Sequence, residues 1–389
     1  MRKTIFTLFL FCLLPALSRA QERIGVGGYI SDMPSLYHLP VEGWLWQNQL
    51  QNRINVDLYP SSRITVGLQV RNRLITGSRL LVPTSPASGD DPGWLDMTLS
   101  GGGSLNDQSN YSWSMVLDRA WVEMTLGKFV LKAGRQRINW GQTFVWNPND
   151  IFNSYSFFEI DYPERPGSDA LLLQYYTGEA SDIEVAVKAD SSGRITSAGY
   201  FRFNLQGFDI QVLGGIIGED DMVAGLGWSG SIAGLTFRGE GSYFRSLENF
   251  RDTTGRLMLS CGLDYLFPNS LNLQGELLYS GFAEKGGSGN LLAYYSGNLD
   301  VRKTGFTPWS FYTGISYPLT PLLNGSLSAM FMPDWKGVFI GPALDLSLSD
   351  NLYLSLIGQY FTLEAMNPLS GARERQNFLF AFLRVKWNF

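Results

Sequence analysis

The final segment of the chain alternates apolar and polar residues up to its last position. Its apolar positions are Leu379, Ala381, Leu383, Val385, Trp387 and Phe389, and its intervening polar positions are Arg384, Lys386 and Asn388. Successive side chains of a β-strand point to opposite faces, so the segment predicts a strand with one apolar and one polar face. A wall with lipid on one side and water on the other needs this alternation. The sequence therefore predicts an all-β fold, a transmembrane antiparallel β-barrel.

The same alternation recurs along the whole chain. Its clearest example is the pair 46–58 and 63–74, joined by a turn at 59–62. A weaker segment lies at about 23–32. The others lie near 113–126, 129–139, 169–176, 182–189, 197–205, 208–217, 222–229, 235–245, 255–266, 271–280, 309–317, 322–331, 337–349, 352–361 and 375–389. We predict about eighteen strands with both termini periplasmic, because single-chain bacterial barrels have an even strand number.

Short turns fall on one side of the predicted wall and long connections on the other. The long connections are 76–112, 140–168, 281–308 and 362–374. Bacterial barrels have short periplasmic turns and longer external loops, so these four are predicted to be external. A soluble β-sandwich is the alternative. It fits poorly, because a sandwich would not have so many long uninterrupted alternations.

Residues 1–20 have the pattern of a signal peptide. Arg2 and Lys3 precede the apolar stretch 5–14, and the small-x-small sequence 18–20 ends it. The predicted mature chain, 21–389, is a single barrel domain. Loss of Arg2, Lys3 and Arg19 would change the net charge from −5 to −8, which argues against nucleic-acid binding. Cys261 would be the one remaining cysteine, so no disulfide can form within the mature chain.

Charged residues on the predicted inner face are mostly basic in the early strands. The predicted pore-lining residues are Arg53, Arg71, Arg73, Arg119, Glu123, Lys132, Arg135 and Arg137. Hairpin geometry places Glu123 opposite Lys132, Arg119 opposite Gln136, and Arg53 near Gln69. The later strands are mixed: Lys188, Arg202, Arg238, Arg256, Arg384 and Lys386 against Glu184, Asp209, Glu240, Asp264, Glu276 and Asp345.

Simple alternation would aim Arg135 and Arg137 at lipid, where an arginine costs about 2–4 kcal/mol at the bilayer midplane. We therefore predict a β-bulge at Gly134 that turns both side chains inward. The alternative is that they reach the outer headgroups. A basic stripe in a pore favours anions. The competing interpretation is that the stripe is paired with carboxylates of the adjacent loop, namely Asp150, Glu159, Asp161 and Glu164.

The connection 140–168 is the predicted constriction. It contains eight aromatic residues, and so many aromatic side chains in an external loop would be unfavourable in water. We therefore expect it to fold inward and pack on the wall. Trp140, Trp146 and Asp150 are the predicted constriction residues.

Two parts of the chain resemble known families. A C-terminal strand that ends on Phe389, with Trp387 nearby, resembles the assembly signal of bacterial outer-membrane barrels. The motif Gly134-Arg135-Gln136-x-Ile138-x-Trp140-Gly141, followed by Asn147-Pro148-x-Asp150, resembles the strand-to-loop motif of the alginate-export and related porin-like families. This resemblance implies an eighteen-stranded outer-membrane barrel with a basic pore that Arg135 and Arg137 line.

Nothing in the sequence predicts an enzyme, a cofactor or a metal site. The only histidine, His38, is expected in an external loop, and no Cys/His cluster exists for a metal. The acidic runs 90–91 and 219–221 are interpreted as solvated loops, with the alternatives that they hold a divalent cation or bridge lipopolysaccharide through one.

We predict an outer-membrane channel for passive diffusion of small hydrophilic solutes, with a bias toward anions or acidic sugars. The alternative is a non-conducting surface barrel that binds, assembles or exports polysaccharide. Expected partners are outer-membrane lipid and lipopolysaccharide, the barrel-assembly machinery during insertion, and the solute, but not nucleic acid.

Overall fold

The computed structural model of the chain describes residues 23–82, 93–162, 164–165, 167–251, 254–283, 300–366 and 372–389, so the predicted signal peptide lies outside the described residues. Within these ranges the chain forms nineteen strands. They are β1 (Ile24–Leu39), β2 (Gly43–Ser61), β3 (Ile64–Ser78), β4 (Thr98–Ser104), β5 (Ser109–Leu126), β6 (Phe129–Gln136), β7 (Ser168–Gly178), β8 (Ser181–Ala189), β9 (Ile195–Leu205), β10 (Phe208–Ile217), β11 (Asp221–Ile232), β12 (Leu235–Ser246), β13 (Arg256–Leu266), β14 (Asn272–Ser280), β15 (Trp309–Thr320), β16 (Leu323–Met332), β17 (Gly337–Ser349), β18 (Leu352–Met366) and β19 (Arg373–Asn388). Short 3-10 turns lie at Val301–Lys303 and Pro333–Trp335.

Eighteen of these strands form a closed antiparallel ring. Each pairs with its sequence neighbours in the ring, and β1 closes it by pairing with both β2 and β19. Within the described residues, closure gives each strand of the ring a neighbour on both sides, which a wall in lipid requires because its backbone groups find no water there. The prediction of a closed antiparallel barrel of eighteen strands is confirmed. In the described residues, no helix is long and apolar enough to cross a membrane.

The two faces of the wall differ as the alternation predicts. On β19, Leu379, Leu383 and Trp387 are exposed on the outside, whereas Phe378 and Phe380 are buried inside. The predicted apolar outer face of this strand is therefore confirmed. Its inner face is apolar at the end near the long loops and polar only toward the C-terminus, which the sequence pattern did not predict.

The strand β4 is additional to the ring and was not predicted. It lies in the segment 76–112, which was expected to be a loop, and it pairs with the first half of β5, residues 110–116. The second half of β5, residues 120–126, pairs along the same edge with β6, which ends at Gln136. Because β6 is short, part of β5 would lack a hydrogen-bonding neighbour along this edge. The strand β4 pairs with the backbone groups of that part.

Several local expectations were wrong. His38 lies in β1 rather than in a loop, and its ring meets that of Trp44 at 5.0 Å. The hairpin of β2 and β3 closes between Ser61 and Ile64 rather than at 59–63, which sets Arg53 directly opposite Arg71. The predicted proximity of Arg53 to Gln69 is kept, since Arg53 Nη2 donates to Gln69 Oε1 at 2.6 Å. The side-chain environment of the hairpin was thus predicted better than its register.

Candidate functional site

The segment 137–167, here called the inner loop, leaves the wall at the end of β6 and crosses the barrel interior. On β18 and β19, the Gln359 side chain donates to the Phe158 carbonyl at 3.2 Å, and Arg384 donates to the Ile160 carbonyl at 3.0 Å. The predicted constriction residues Trp140, Trp146 and Asp150 are all buried. An external segment in water would not bury these three side chains together.

Aromatic packing fixes the inner loop against the wall. Phe158 meets the inward rings of Phe339 at 4.9 Å and Phe361 at 5.1 Å. Near the other end, Trp140 stacks on Tyr200 of β9 at 5.2 Å. Such pairs contribute about 0.5–1.5 kcal/mol each beyond their buried area. The apolar part of the barrel's inner face therefore forms a hydrophobic core together with the inner loop.

Glu240 of β12 binds the backbone of the inner loop. Its carboxylate accepts hydrogen bonds from the backbone N–H of Gln142, from that of Thr143 at 2.9 Å, and from that of Asn149 at 2.9 Å. The side chain is fully buried. Charge-assisted bonds of this kind are about twice as strong as neutral ones.

Glu276 of β14 makes a second contact of the same type. Its carboxylate accepts from the backbone N–H groups of Phe144, Val145 and Trp146 at 2.8–3.0 Å. The Ser260 hydroxyl donates to it at 2.8 Å. The two wall carboxylates, here called the acidic anchors, therefore satisfy six backbone donors between residues 142 and 149.

The alternation of β12 and β14 placed both acidic anchors inside the barrel. It gave no sign that they bind the loop, because their partners are backbone groups, which have no sequence signature. The sequence offered one signal of this binding, which was a predicted inward glutamate flanked by small or apolar residues.

Three of the predicted pore arginines converge on one buried carboxylate, Asp118 of β5. Arg53 forms an ion pair with it, and Arg119 Nη1 lies 3.6 Å from its Oδ1. Tyr162 of the inner loop donates its hydroxyl to Asp118, and the guanidinium of Arg71 lies over the Tyr162 ring at 3.6 Å. We call this group the arginine cluster.

Carboxylates and carbonyl groups of the inner loop approach the same cluster. Glu164 lies 3.8 Å from Arg53, and Asp161 lies 3.8 Å from Arg73. Arg119 donates to the backbone carbonyls of Glu164 and Arg165 at 2.9 and 2.6 Å. Of the four loop carboxylates considered as partners of the stripe, Glu164 and Asp161 therefore lie beside the arginine cluster, and Asp150 lies near Arg137. Asp118, which belongs to the wall, was missed because the predicted register did not turn it inward.

A register shift in β5 explains why Asp118 and Arg119 both face the interior. Between Gln69 and Val70, the pairing of β3 with β5 skips Asp118. The bulge predicted at Gly134 is absent, because β6 pairs with β5 without a shift there. Gly134 instead has φ +114, and a Cβ would lie 2.2 Å from the Ala120 carbonyl oxygen.

Arg135 lies buried where β6 leaves the wall. It binds Asp169 of β7 through two bonds of 2.8 and 2.9 Å, and it donates to the carbonyl of Leu95, just before β4, at 2.6 Å. It also donates to the Leu117 carbonyl of β5 at 3.3 Å. Arg135 therefore links β7, β5 and the segment just before β4.

The remaining predicted pore residues have separate surroundings. Lys132 and Glu123 form the predicted cross-strand pair at 3.2 Å, with Lys132 over the Trp121 ring. Arg137 begins the inner loop and donates to Asn139 at 3.2 Å. Arg63 lies in the β2–β3 turn. The predicted pore-lining residues therefore do not form one stripe. They are divided between the arginine cluster, the wall junction at Arg135, the half-exposed pair of Lys132 and Glu123, and the start of the inner loop at Arg137.

Asp150 is buried in the inner loop among basic groups. Burial raises its pKa from the ordinary 3.8 to about 6, and the nearby positive charges of Arg137, Lys188 and Arg165 oppose this rise. A raised pKa means that the folded state favours the protonated acid. The resulting stabilisation is complete below about pH 4 and is lost as the pH rises through about 6.

Asp150→Asn is therefore expected to remove a pH dependence of stability between about pH 4 and pH 6 and to stabilise the protein at neutral pH. The urea midpoint of the detergent-solubilised barrel, measured across this range, tests the prediction. Glu159→Gln, which changes a half-buried carboxyl of the same loop, is the control and should keep the wild-type profile. An unchanged profile in Asp150→Asn would contradict the assignment.

A cavity of about 730 Å³ lies between the inner loop and the loops on the long-connection side. Its basic lining residues outnumber the acidic ones. They are Lys188, Arg194, Arg256, Arg302 and Lys303, against Asp190 and Asp300. Asp220 pairs with Arg194 at 3.0 Å and Asp221 with Arg302 at 2.5 Å, so these carboxylates of the acidic run 219–221 have arginine partners. The other acidic run, 90–91, lies outside the described residues.

No family model and no curated protein matches the sequence. Solved structures match over nearly the whole chain. Acinetobacter baumannii OccAB1 has a TM-score of 0.58 at 8% identity, with 94% of this chain and 96% of that chain covered. The outer membrane protein OpdK of Pseudomonas aeruginosa has a TM-score of 0.58 at 11% identity, with 94% and 98% covered. Pseudomonas aeruginosa OccD3 (OpdP) has a TM-score of 0.55 at 10% identity, with 94% and 92% covered.

The fold and these similarities define the structural class of the chain. It is a closed eighteen-stranded antiparallel barrel with a loop inside it, and this fold is similar to that of solved outer-membrane porins. An apolar outer face on a closed barrel is the architecture of proteins of the Gram-negative outer membrane, and this is where the protein resides.

Proposed function

We propose that the protein is an outer-membrane channel for passive diffusion of small hydrophilic solutes, with a bias toward anions. The observation that carries the proposal is the inner loop, which narrows a barrel wide enough to hold an aqueous lumen. A lumen narrowed by a folded loop selects solutes by size and charge. The fold shared with porins supports the proposal but does not by itself assign a solute.

The charge bias is proposed from the basic cavity rather than from the arginine cluster. In the cluster, Asp118 lies among Arg53, Arg71 and Arg119. In the cavity, Arg194 and Arg302 are paired with carboxylates, so the proposed basic excess rests on Arg256 and Lys303 of the lining. Rings of basic side chains along a pore favour anions. The cavity is thus the proposed entrance at which anions are enriched.

Current through single channels in asymmetric salt tests both parts of the proposal. Wild type is expected to conduct with a reversal potential on the anion-selective side. Arg256→Glu/Lys303→Glu is expected to shift this potential toward cations, because the cavity loses its positive excess. Arg63→Glu/Lys128→Glu makes the same change of net charge in the short turns and is expected to have a smaller effect. Equal shifts in the two variants would refute the cavity as the selective region.

The second candidate is a non-conducting surface barrel that binds, assembles or exports polysaccharide. The apolar core between Phe158, Phe339 and Phe361 favours it, because this core fills part of the interior with packed apolar side chains. A wild-type barrel that inserts into bilayers without conducting, yet retains glycan at the cell surface, would support this candidate and refute the channel. For both candidates we propose that the protein has no enzymatic activity.

A further inference from the structure

Four polar side chains lie on the lipid-facing side of β1, β2 and β3. They are Asp32, Asn48, Asn52 and Asn72, here called the polar belt patch. Their orientation follows from the alternation of each strand. On β1, the exposed Ile30 and Leu36 share the parity of Asp32, whereas Tyr29 and Met33 of the opposite parity are buried inside.

The other two strands give the same result. On β2, the exposed side chains of Leu50 and Ile54 flank Asn52, while Gln51 and Arg53 are buried inside. Asn48 shares this outward parity. On β3, Asn72 has the parity of Leu74, which is exposed, and not that of Arg71, which is buried. All four polar side chains therefore lie on the outside of the wall.

The patch lies between the two aromatic rims of the barrel. Ile30 pairs with Trp387 near the C-terminus, and Leu36 pairs with Trp46 near the long-loop side. Both tryptophans are exposed on the outside, and indole rings favour headgroup depth. Asp32 lies between these two levels on β1. A carboxylate and three carboxamides therefore lie within the apolar belt.

Hydrogen bonds within the patch join its members in pairs. Asn48 donates to Asp32 Oδ1 at 3.0 Å, and Asn72 donates to Asn52 Oδ1 at 2.6 Å. The patch is thus an ordered polar surface on three adjacent strands. Each carboxamide carries two N–H donors and a carbonyl oxygen, so the surface offers both donors and acceptors.

The described strands β8 to β18 lack such groups in the belt. Among the described residues of β8 to β18, outward positions between the aromatic rims carry apolar residues or glycine, apart from the hydroxyls of Ser197 and Thr313. Lipid cannot satisfy half-exposed carboxamides or a carboxylate, whereas polar side chains at a contact within the membrane bind across it. The patch therefore needs a polar partner at the same depth.

We propose that the polar belt patch is the interface with a second copy of this chain, related by a two-fold axis. A two-fold axis sets the same patch against itself, so the amide donors of one copy meet the acceptors of the other. A head-to-tail contact would instead set the patch against another sector of the belt, which is apolar in the described strands β8 to β18. This inference is independent of what the channel conducts, because it concerns only the outer face.

Cysteine cross-linking in native outer membranes tests the proposal. In a Cys261→Ser background, Asn48→Cys, Asn52→Cys and Asn72→Cys are oxidised one at a time. At least one is expected to give a product of two chains as the main cross-linked species. Ile315→Cys, which faces outward on β15, is the matched control and should give none. Products at none of the three patch positions, or products only with a different protein, would overturn the two-fold dimer.

A variant with the patch made apolar gives a second, independent result. Asp32→Leu/Asn52→Leu/Asn72→Leu extends the apolar belt, so the barrel should fold while the dimer is lost. Light scattering of the detergent-solubilised protein measures the mass, and heat-modifiable migration on a gel reports folding. A folded variant that remains a dimer would overturn the proposal, as would a wild-type protein that is monomeric.

Discussion

Replacing both acidic anchors, as in Glu240→Ala/Glu276→Ala, is expected to release the inner loop and raise the single-channel conductance severalfold. The six backbone donors that these carboxylates satisfy would lose their acceptors. A buried donor left without a partner costs about 1–3 kcal/mol, so six of them outweigh the aromatic contacts of the loop. We therefore expect residues 142–149 to leave the wall and become hydrated. Single-channel current in a planar bilayer measures the change.

Asp345→Asn is the matched control for the anchors. Asp345 of β17 also faces the interior, but it accepts a hydrogen bond from the Ser355 hydroxyl of the neighbouring strand at 2.6 Å. Its replacement should leave the conductance near the wild-type value. Single replacements of Glu240 or Glu276 are expected to give intermediate openings. If the double variant conducts like wild type while remaining folded, the anchors do not hold the constriction.

The repeated alternation made the barrel predictable because every strand between lipid and water obeys the same rule. The C-terminal strand shows this, since its period of two separates Leu379 from Phe380 and places them on opposite faces. Register was less predictable, because a single extra residue changes which side chains meet. The shift at Asp118 turns a carboxylate inward beside Arg119, and no feature of the β5 sequence marks it.

The site was predictable only in outline. The aromatic content of 140–168 predicted that this connection would fold inward, because its apolar surface must be buried somewhere. Where it docks depends on backbone N–H groups that bind Glu240 and Glu276, and on tertiary contacts from strands far along the chain. The surroundings of Arg135 were equally hidden, since its bonds to Asp169 and Leu95 depend on where β6 leaves the wall.

Asp118→Ala is expected to destabilise the barrel by about 3–5 kcal/mol, the usual effect of removing one partner from a buried ion pair. Arg53 would lose its ion pair and Tyr162 the acceptor of its hydroxyl, while Arg71 and Arg119 would lose a neighbouring negative charge. Three guanidinium groups would then remain close together in a buried site. The urea midpoint of the detergent-folded protein, followed by tryptophan fluorescence, measures the loss.

Glu123→Gln on the same strand is the control for this effect. Glu123 pairs with Lys132 at 3.2 Å, but both side chains are partly exposed to the interior. Water screens such a pair, and its removal typically costs about 0–1 kcal/mol. A large difference between the two variants would show that Asp118 neutralises the arginine cluster as a structural centre. Similar small losses in both would mean that water hydrates the cluster, and the three arginines would then be available to a passing anion.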